Sequence, residues 1–219
     1  MWCITKVFFI FMKYTDDINI FKLNKDFTAE IDITGTFGHI YHYPQRMNGC
    51  LFILCLRGEC DITIHLSEHK IQKNDIVTIL PETFVHVHRQ SPDCRLYLVG
   101  FNKELLNGIN FFNSTKNYLS ALIDTPVTPL RPETSELFQD YFMLLIKMKH
   151  IEAKPNKDLL SSMLLTILHG VGNIHQNTNV TTRAFNRGEE IVKRLVQYII
   201  KHYTPVSYTH LRAHETTLH

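Results

Sequence analysis

No stretch of this sequence approaches the ~20 consecutive apolar residues that a membrane-spanning helix needs. Charge of one sign is equally lacking: 23 lysines and arginines face 21 acidic residues, for a formal net charge of +2. That balance excludes a bulk electrostatic pull toward nucleic acid or anionic membrane, so any DNA contact has to come from a local basic patch. The five cysteines, Cys3, Cys50, Cys55, Cys60 and Cys94, are odd in number and never spaced Cys-x-x-Cys. A disulfide framework is therefore disfavoured against reduced, buried thiols in a cytoplasmic protein. No nucleophile elbow, phosphate-binding loop or dinucleotide fingerprint occurs, and no catalytic constellation is read. The apolar run Val7 to Met12 is short for a signal-peptide core and ends at Lys13 without a small-residue cleavage site. A start at Met12 instead of Met1 stands level with any targeting role.

What is present is ordinary globular composition, 44% hydrophobic and 20% charged, enough for a packed core without metal or disulfide staples. Consecutive short strands are expected at Phe37–Tyr43, Leu51–Leu56, Cys60–Leu66, Ile76–Leu80, Phe84–Gln90 and Arg95–Phe101, rich in β-branched and aromatic residues. Turn signals separate them, among them Asn48-Gly49, Gly58, Ser67-Glu68-His69, Asn74-Asp75 and Ser91-Pro92-Asp93. Such spacing reads as a sandwich or barrel. After Phe101 the period changes. Pro132 suits a first helical turn, and Leu137, Phe138, Tyr141, Phe142, Leu145 and Met148 follow helical spacing. Pro155 and Asn156 break the run before a second stripe of Leu160, Met163, Leu164, Ile167, Leu168, Val171 and Ile174. The two helices read as an antiparallel hairpin. A polar stretch from Asn173 to Thr182 precedes a third helix, Arg187 to Tyr203.

Two stretches carry a resemblance. Leu54-Cys55-Leu56-Arg57-Gly58-Glu59-Cys60, with Lys73 through His86, resembles a cupin barrel, and in particular the sensor domain of AraC-type transcription regulators. Arg187 to Tyr203 is similar to the linker end and first DNA-binding helix of that family. The resemblance implies an α+β fold: a small cupin-like β-barrel over residues 1–112, a helical dimerisation and linker region over 113–180, and one further helix over 181–205. A closed barrel removes exposed strand edges and can hold one small ligand. Tyr41, Tyr43, Arg46, His86, His88 and Tyr97 are the candidates for effector contact, each with core or surface placement as its plainer alternative. A homodimer is expected through Leu160, Leu164, Ile167 and Val171 or through the preceding helix, although the same stripe also suits intramolecular core.

Enzymatic cupins resemble one another in a His-x-His pair, a Glu and a later His. Counting back from Gly58, this sequence carries Gln45, Met47 and Leu51 at the first three positions, leaving only His86. One histidine does not hold a catalytic metal, which needs about three protein ligands. No metal or other cofactor is expected, and a metal-dependent isomerase or dioxygenase is the weaker alternative, beside a stand-alone ligand-binding barrel.

Residues 206–219, from Val206-Ser207-Tyr208-Thr209-His210 onward, lack apolar periodicity and resemble translated sequencing-adaptor DNA. The native sequence is then legible only to about Pro205. Arg187, Lys193 and Arg194 suit contact with DNA phosphates, which position a protein without specifying sequence. DNA recognition is expected of the full-length protein only. The sequence reads as the effector-sensing part of a cytoplasmic regulator; effector identity and target genes are not legible in it.

Overall fold

The computed structural model describes residues 26–108, 119–151 and 155–177. The chain divides into two compact units, residues 1–181 and 182–219, and every described element belongs to the first. The expected third helix and the adaptor-like tail lie outside the described residues.

The fold is α+β. Among the described residues, nine strands form two antiparallel sheets, followed by helices. The five-stranded sheet runs β1 (Phe27–Asp32), β8 (Arg95–Asn102), β3 (Gly49–Arg57), β6 (Asp75–Ile79), β9 (Val127–Pro129). The four-stranded sheet runs β2 (Gln45–Arg46), β7 (Phe84–Gln90), β4 (Glu59–Ile64), β5 (Ser67–Gln72). The facing sides enclose one apolar core: Leu51, Ile53 and Cys55 of β3 and Leu96 and Leu98 of β8 meet Ile62 and Ile64 of β4 and Val85 and Val87 of β7.

Strand β4 shows the alternation that a one-sided sheet demands, with Cys60, Ile62 and Ile64 buried and the residues between them half-buried. Strand β3 does not alternate. Its first seven residues are all buried, because helices cover its second face. On that side Phe101 packs against Phe27 at 5.4 Å with the rings tilted by 41°, and meets Phe52 edge-on at 6.4 Å.

Two expectations need correction. Phe37–Tyr43 was expected to be a strand, but Thr36–Ile40 forms a short helix, α1, because a carboxylate caps its first turn. Ser67-Glu68-His69 was expected to be a turn, yet it opens β5; the chain reverses just before it, at His65, whose φ is 57°.

Helices α2 (Lys103–Gly108), α3 (Leu119–Asp124), α4 (Pro132–Ile151) and α5 (Lys157–Asn177) complete the described unit. Pro132 and Glu133 start α4 where a missing N–H and a negative charge are both favoured. Phe138, Phe142, Leu145 and Ile146 bury one face of α4 against β1 and β8. Asn156 caps α5, its Oδ1 accepting the Asp158 N–H at 2.8 Å. The Tyr141 hydroxyl donates to the Met163 carbonyl at 3.3 Å, and a Cβ on Gly170 would stand 3.1 Å from the Phe138 ring, so aromatic side chains of α4 reach the backbone of α5. His175 hydrogen-bonds Thr128 at 2.9 Å and Thr125 at 3.3 Å, tying α5 to β9; burial pushes its pKa below the ordinary 6.5.

Leu160, Leu164, Ile167 and Val171, the stripe expected at a dimer contact, are all buried inside this chain. They serve the intramolecular core, the alternative that helical periodicity alone leaves open. No helix of the described residues is long and apolar enough to cross a membrane.

Candidate functional site

A hydrogen-bonded hub forms where α1 lies against the barrel. Its anchor is Asp32, the last residue of β1 and itself buried. Oδ1 accepts the backbone N–H groups of Thr34 at 3.2 Å and Thr36 at 3.0 Å, while Oδ2 accepts that of Phe37 at 3.0 Å. Thr36 and Phe37 are donors that a helix leaves unpaired in its first turn, and Thr34 precedes the cap, so one carboxylate fixes the lead-in and caps α1. Gln90, at the end of β7, completes the hub. Its Nε2 donates to Asp32 Oδ2 at 3.1 Å, and its Oε1 accepts the Gly38 N–H at 3.0 Å. A Cβ at Gly38 would stand 2.8 Å from Gln90 Oε1, so a larger residue there would push the Gln90 amide off this bond. The Gln45 side chain donates to the Ile40 carbonyl, and the Val87 N–H donates to the Tyr41 carbonyl at 2.7 Å. Thus α1 is tied to β1, β2 and β7 together, with Phe37, Ile40 and Tyr41 driven into the barrel core.

Beside α1 opens a pocket of about 290 Å³, near the lower end of the volumes that hold small molecules. His39 and His42 line one wall and His88, Arg89 and Gln90 the other, with Cys94 also on its lining. Arg89 is already engaged by Glu59 at 2.7 Å and Asp61 at 2.8 Å. With the Gln90 amide also committed to Asp32 and Gly38, the walls offer chiefly imidazoles. A second, largely apolar groove of about 500 Å³ lies between α4 and α5, lined by Leu137, Phe138, Tyr141, Ile167 and Gly170.

The structure scatters the six expected effector residues. Tyr41 alone belongs to the barrel core; its hydroxyl reaches Met47 Sδ at 3.7 Å, and burial raises its pKa. Tyr43 is 74% exposed, its ring edge-on to His42. Arg46 is exposed and paired with Glu82 at 3.0 Å. Tyr97 is half-buried on β8, between the inward-facing Leu96 and Leu98, so its side chain leaves by the opposite face, toward Asp140 of α4.

His86 and His88 do share a face of β7, with ring centroids 4.2 Å apart. It is the outer face, since Val85 and Val87 point inward. His86 pairs with Thr63, and a bulge between Asp61 and Ile62 sets His88 apart from the ladder, where it hydrogen-bonds Thr63 Oγ1 at 2.6 Å. The one histidine that matched the enzymatic cupin pattern is thus turned away from the barrel. Inside, Met47 and Leu51 belong to the apolar core. Among the described residues, no group of three His, Cys, Asp or Glu side chains is placed to hold a metal ion. Arg187, Lys193 and Arg194 lie outside the described residues.

Sequence reasoning missed Asp32, Gly38 and Gln90. The signal for the first was present: Asp32 stands before Thr34-Gly35-Thr36, a run that favours turns and helix caps.

The family described as AraC-like ligand binding domain matches residues 31–169. Among solved structures, ToxT from Vibrio cholerae is similar at 9% identity over 80% of this chain and 66% of its own, with a TM-score of 0.37. The AraC-like transcriptional activator CuxR is similar at 11% identity over 79% of this chain and 56% of its own, with a TM-score of 0.39. The cupin domain of Schizosaccharomyces pombe Cnp3 is similar at 14% identity over 42% of this chain and 66% of its own, with a TM-score of 0.31. The chain spans less than two thirds of the length of each of these three. No curated protein matches it. The matched span, 31–169, takes in both sheets from the end of β1 and most of the helical layer, well over half of the sequence, and the chain belongs to the AraC-like ligand binding domain family.

Proposed function

We propose that this chain is the sensor and dimerisation part of a cytoplasmic AraC-type transcription regulator, and that a small polar effector binds in the pocket beside α1. The observation that carries the reading is the Asp32–Gln90 hub. One wall of the pocket is α1, and that helix depends on hydrogen bonds made by Gln90 of the other wall. A molecule that hydrogen-bonds His39, His42 or His88 therefore acts on the contacts that hold α1 in place. Any shift it causes is bounded by its differential affinity for the two arrangements of α1.

The effector acts within a homodimer. Sequence-specific DNA reading requires a recognition helix in the major groove, supplied by helix-turn-helix units of the full-length protein. A reading frame continuing past Pro205 into two such units supports the regulator; a frame without them leaves a stand-alone ligand-binding module.

The binding reading is tested by screening small polar metabolites for a rise in Tm. An effector at a hundredfold excess over its Kd adds about 2.7 kcal/mol, a rise of roughly 5–10 °C in a domain of this size. His39→Trp, a change at an exposed position that fills the pocket, is expected to abolish that rise while leaving the ligand-free Tm unchanged. A rise that persists in His39→Trp places the effector elsewhere.

A further inference from the structure

The groove between α4 and α5 shares no lining residue with the α1 pocket, and at about 500 Å³ it is the larger of the two. From its shape and its charge we infer that it binds a small amphiphilic anion, with an apolar body between the helices and a carboxylate at Arg131.

Two helical faces make its walls. Leu137, Phe138 and Tyr141 share one face of α4, and Thr166, Ile167 and Gly170 share one face of α5. Gly170 gives the groove its depth. With no side chain there, the Phe138 ring lies against helix backbone, and a Cβ would stand 3.1 Å from it. The Tyr141 hydroxyl is committed to the Met163 carbonyl at 3.3 Å, so its ring is what remains for a ligand. Burial raises the pKa of that hydroxyl, and it adds no negative charge. The volume falls within the range of cavities that hold small molecules, and such cavities pair apolar walls with a few placed polar groups.

The charge sits at one end. The chain leaves β9 at Pro129 and enters α4 at Pro132, with Arg131 between them. The Arg131 carbonyl accepts the Ser135 N–H at 2.8 Å, which fixes the backbone beneath the guanidinium. Arg131 is the one charged residue on the lining, and it makes no ion pair among the described residues. Glu133 and Glu136, in the first turns of α4, are exposed and do not line the groove. A neutral hydrocarbon would leave the guanidinium unused, and a cation would be repelled by it. A carboxylate matches it with two parallel N–H···O bonds. This ligand differs in class from the small polar effector, and the inference stands independently of the α1 reading.

The test is calorimetric titration of the full chain at neutral pH with 4-butylbenzoate and with its neutral analogue, 4-butylbenzyl alcohol. The expected result is saturable binding of the acid, with the alcohol weaker by about tenfold for want of the charge-assisted hydrogen bonds. Arg131→Gln is expected to weaken the acid to the level of the alcohol and to leave the alcohol unchanged. Thr166→Trp, a change at an exposed position that fills the groove, is expected to abolish binding of both. His39→Trp, which fills the α1 pocket instead, is expected to leave both intact. No saturable binding of the acid at millimolar concentration, equal affinity for acid and alcohol, or an acid indifferent to Arg131→Gln overturns the inference. Loss of the acid in His39→Trp overturns it too, by placing the anion beside α1. Binding by Leu144→Glu but not by wild type does the same, by showing a second copy of the chain on the groove. The Arg131→Gln titrations decide the matter even where Thr166→Trp folds poorly.

Discussion

Asp32→Ala is expected to destabilise the described unit by about 3 kcal/mol and to release α1 from the barrel. The side chain accepts three backbone N–H groups and one amide N–H, all between 3.0 and 3.2 Å, and it is 3% exposed. Alanine removes every acceptor at once. The donors of Thr34 and Thr36 lie near the surface and are re-solvated at modest cost, but that of Phe37 is buried beside a fully buried ring. Leaving a buried donor unpaired costs about 1–3 kcal/mol, and the lost helix cap adds about 1 kcal/mol. Asp32→Asn keeps one acceptor for the helix and is expected to lose about half as much. Urea titrations that place Asp32→Ala within ~0.5 kcal/mol of wild type would show that α1 is held by its apolar residues alone.

Leu144→Glu is expected to turn a dimer into a monomer without unfolding it. The buried face of α4 leaves a second apolar stripe in solvent: Leu137 is 69% exposed, Leu144 56% and Ile151 81%. They recur every seven residues, with half-buried Met148 between Leu144 and Ile151 at the complementary position of a heptad. That spacing is self-complementary, so it suits a second copy of the same helix across a two-fold axis. Leu137 also lines the groove between α4 and α5, which extends the apolar face beyond the stripe. A glutamate at the centre of a closed seam costs about 3 kcal/mol, roughly a hundredfold in the dimer dissociation constant. On the exposed surface of a monomer the same change is worth about 0.5 kcal/mol or less. Sedimentation at micromolar concentration is expected to find wild-type dimers and Leu144→Glu monomers with equal Tm at high dilution. Wild-type monomers, or dimers unaffected by the change, would contradict this use of α4.

Strands β3, β4, β6, β7 and β8 were legible in the sequence because each carries its own apolar signal between its own turn signals. The failures have distinct physical causes. Thr36–Ile40 contains Phe37 and Ile40 and reads as strand; its helical state rests on Asp32 and on Gln90, 58 residues away from it. Strand β5 is the edge of its sheet, where polar residues such as Glu68, His69 and Lys70 are favoured, so it reads as a turn. Strand β3 reads as a strand but not as one buried on both faces, a fact that only the helices supply. The stripe on α5 shows helical period without showing which neighbour it meets. At the site, the alternation of β7 places His86 and His88 on one face. Whether that face looks in or out depends on the register against β4, and a shift of one residue reverses it. Nothing local marks Gln90 as the partner of both Asp32 and Gly38.

The most direct test of the effector site is hydrogen exchange of the chain with and without a compound that raises its Tm. The account predicts slowed exchange in residues 33–42 and 86–94, the two walls of the α1 pocket, by roughly tenfold or more at saturation. Protection confined to residues 131–174, with the α1 segment unchanged, would contradict it and move the effector to the groove between α4 and α5.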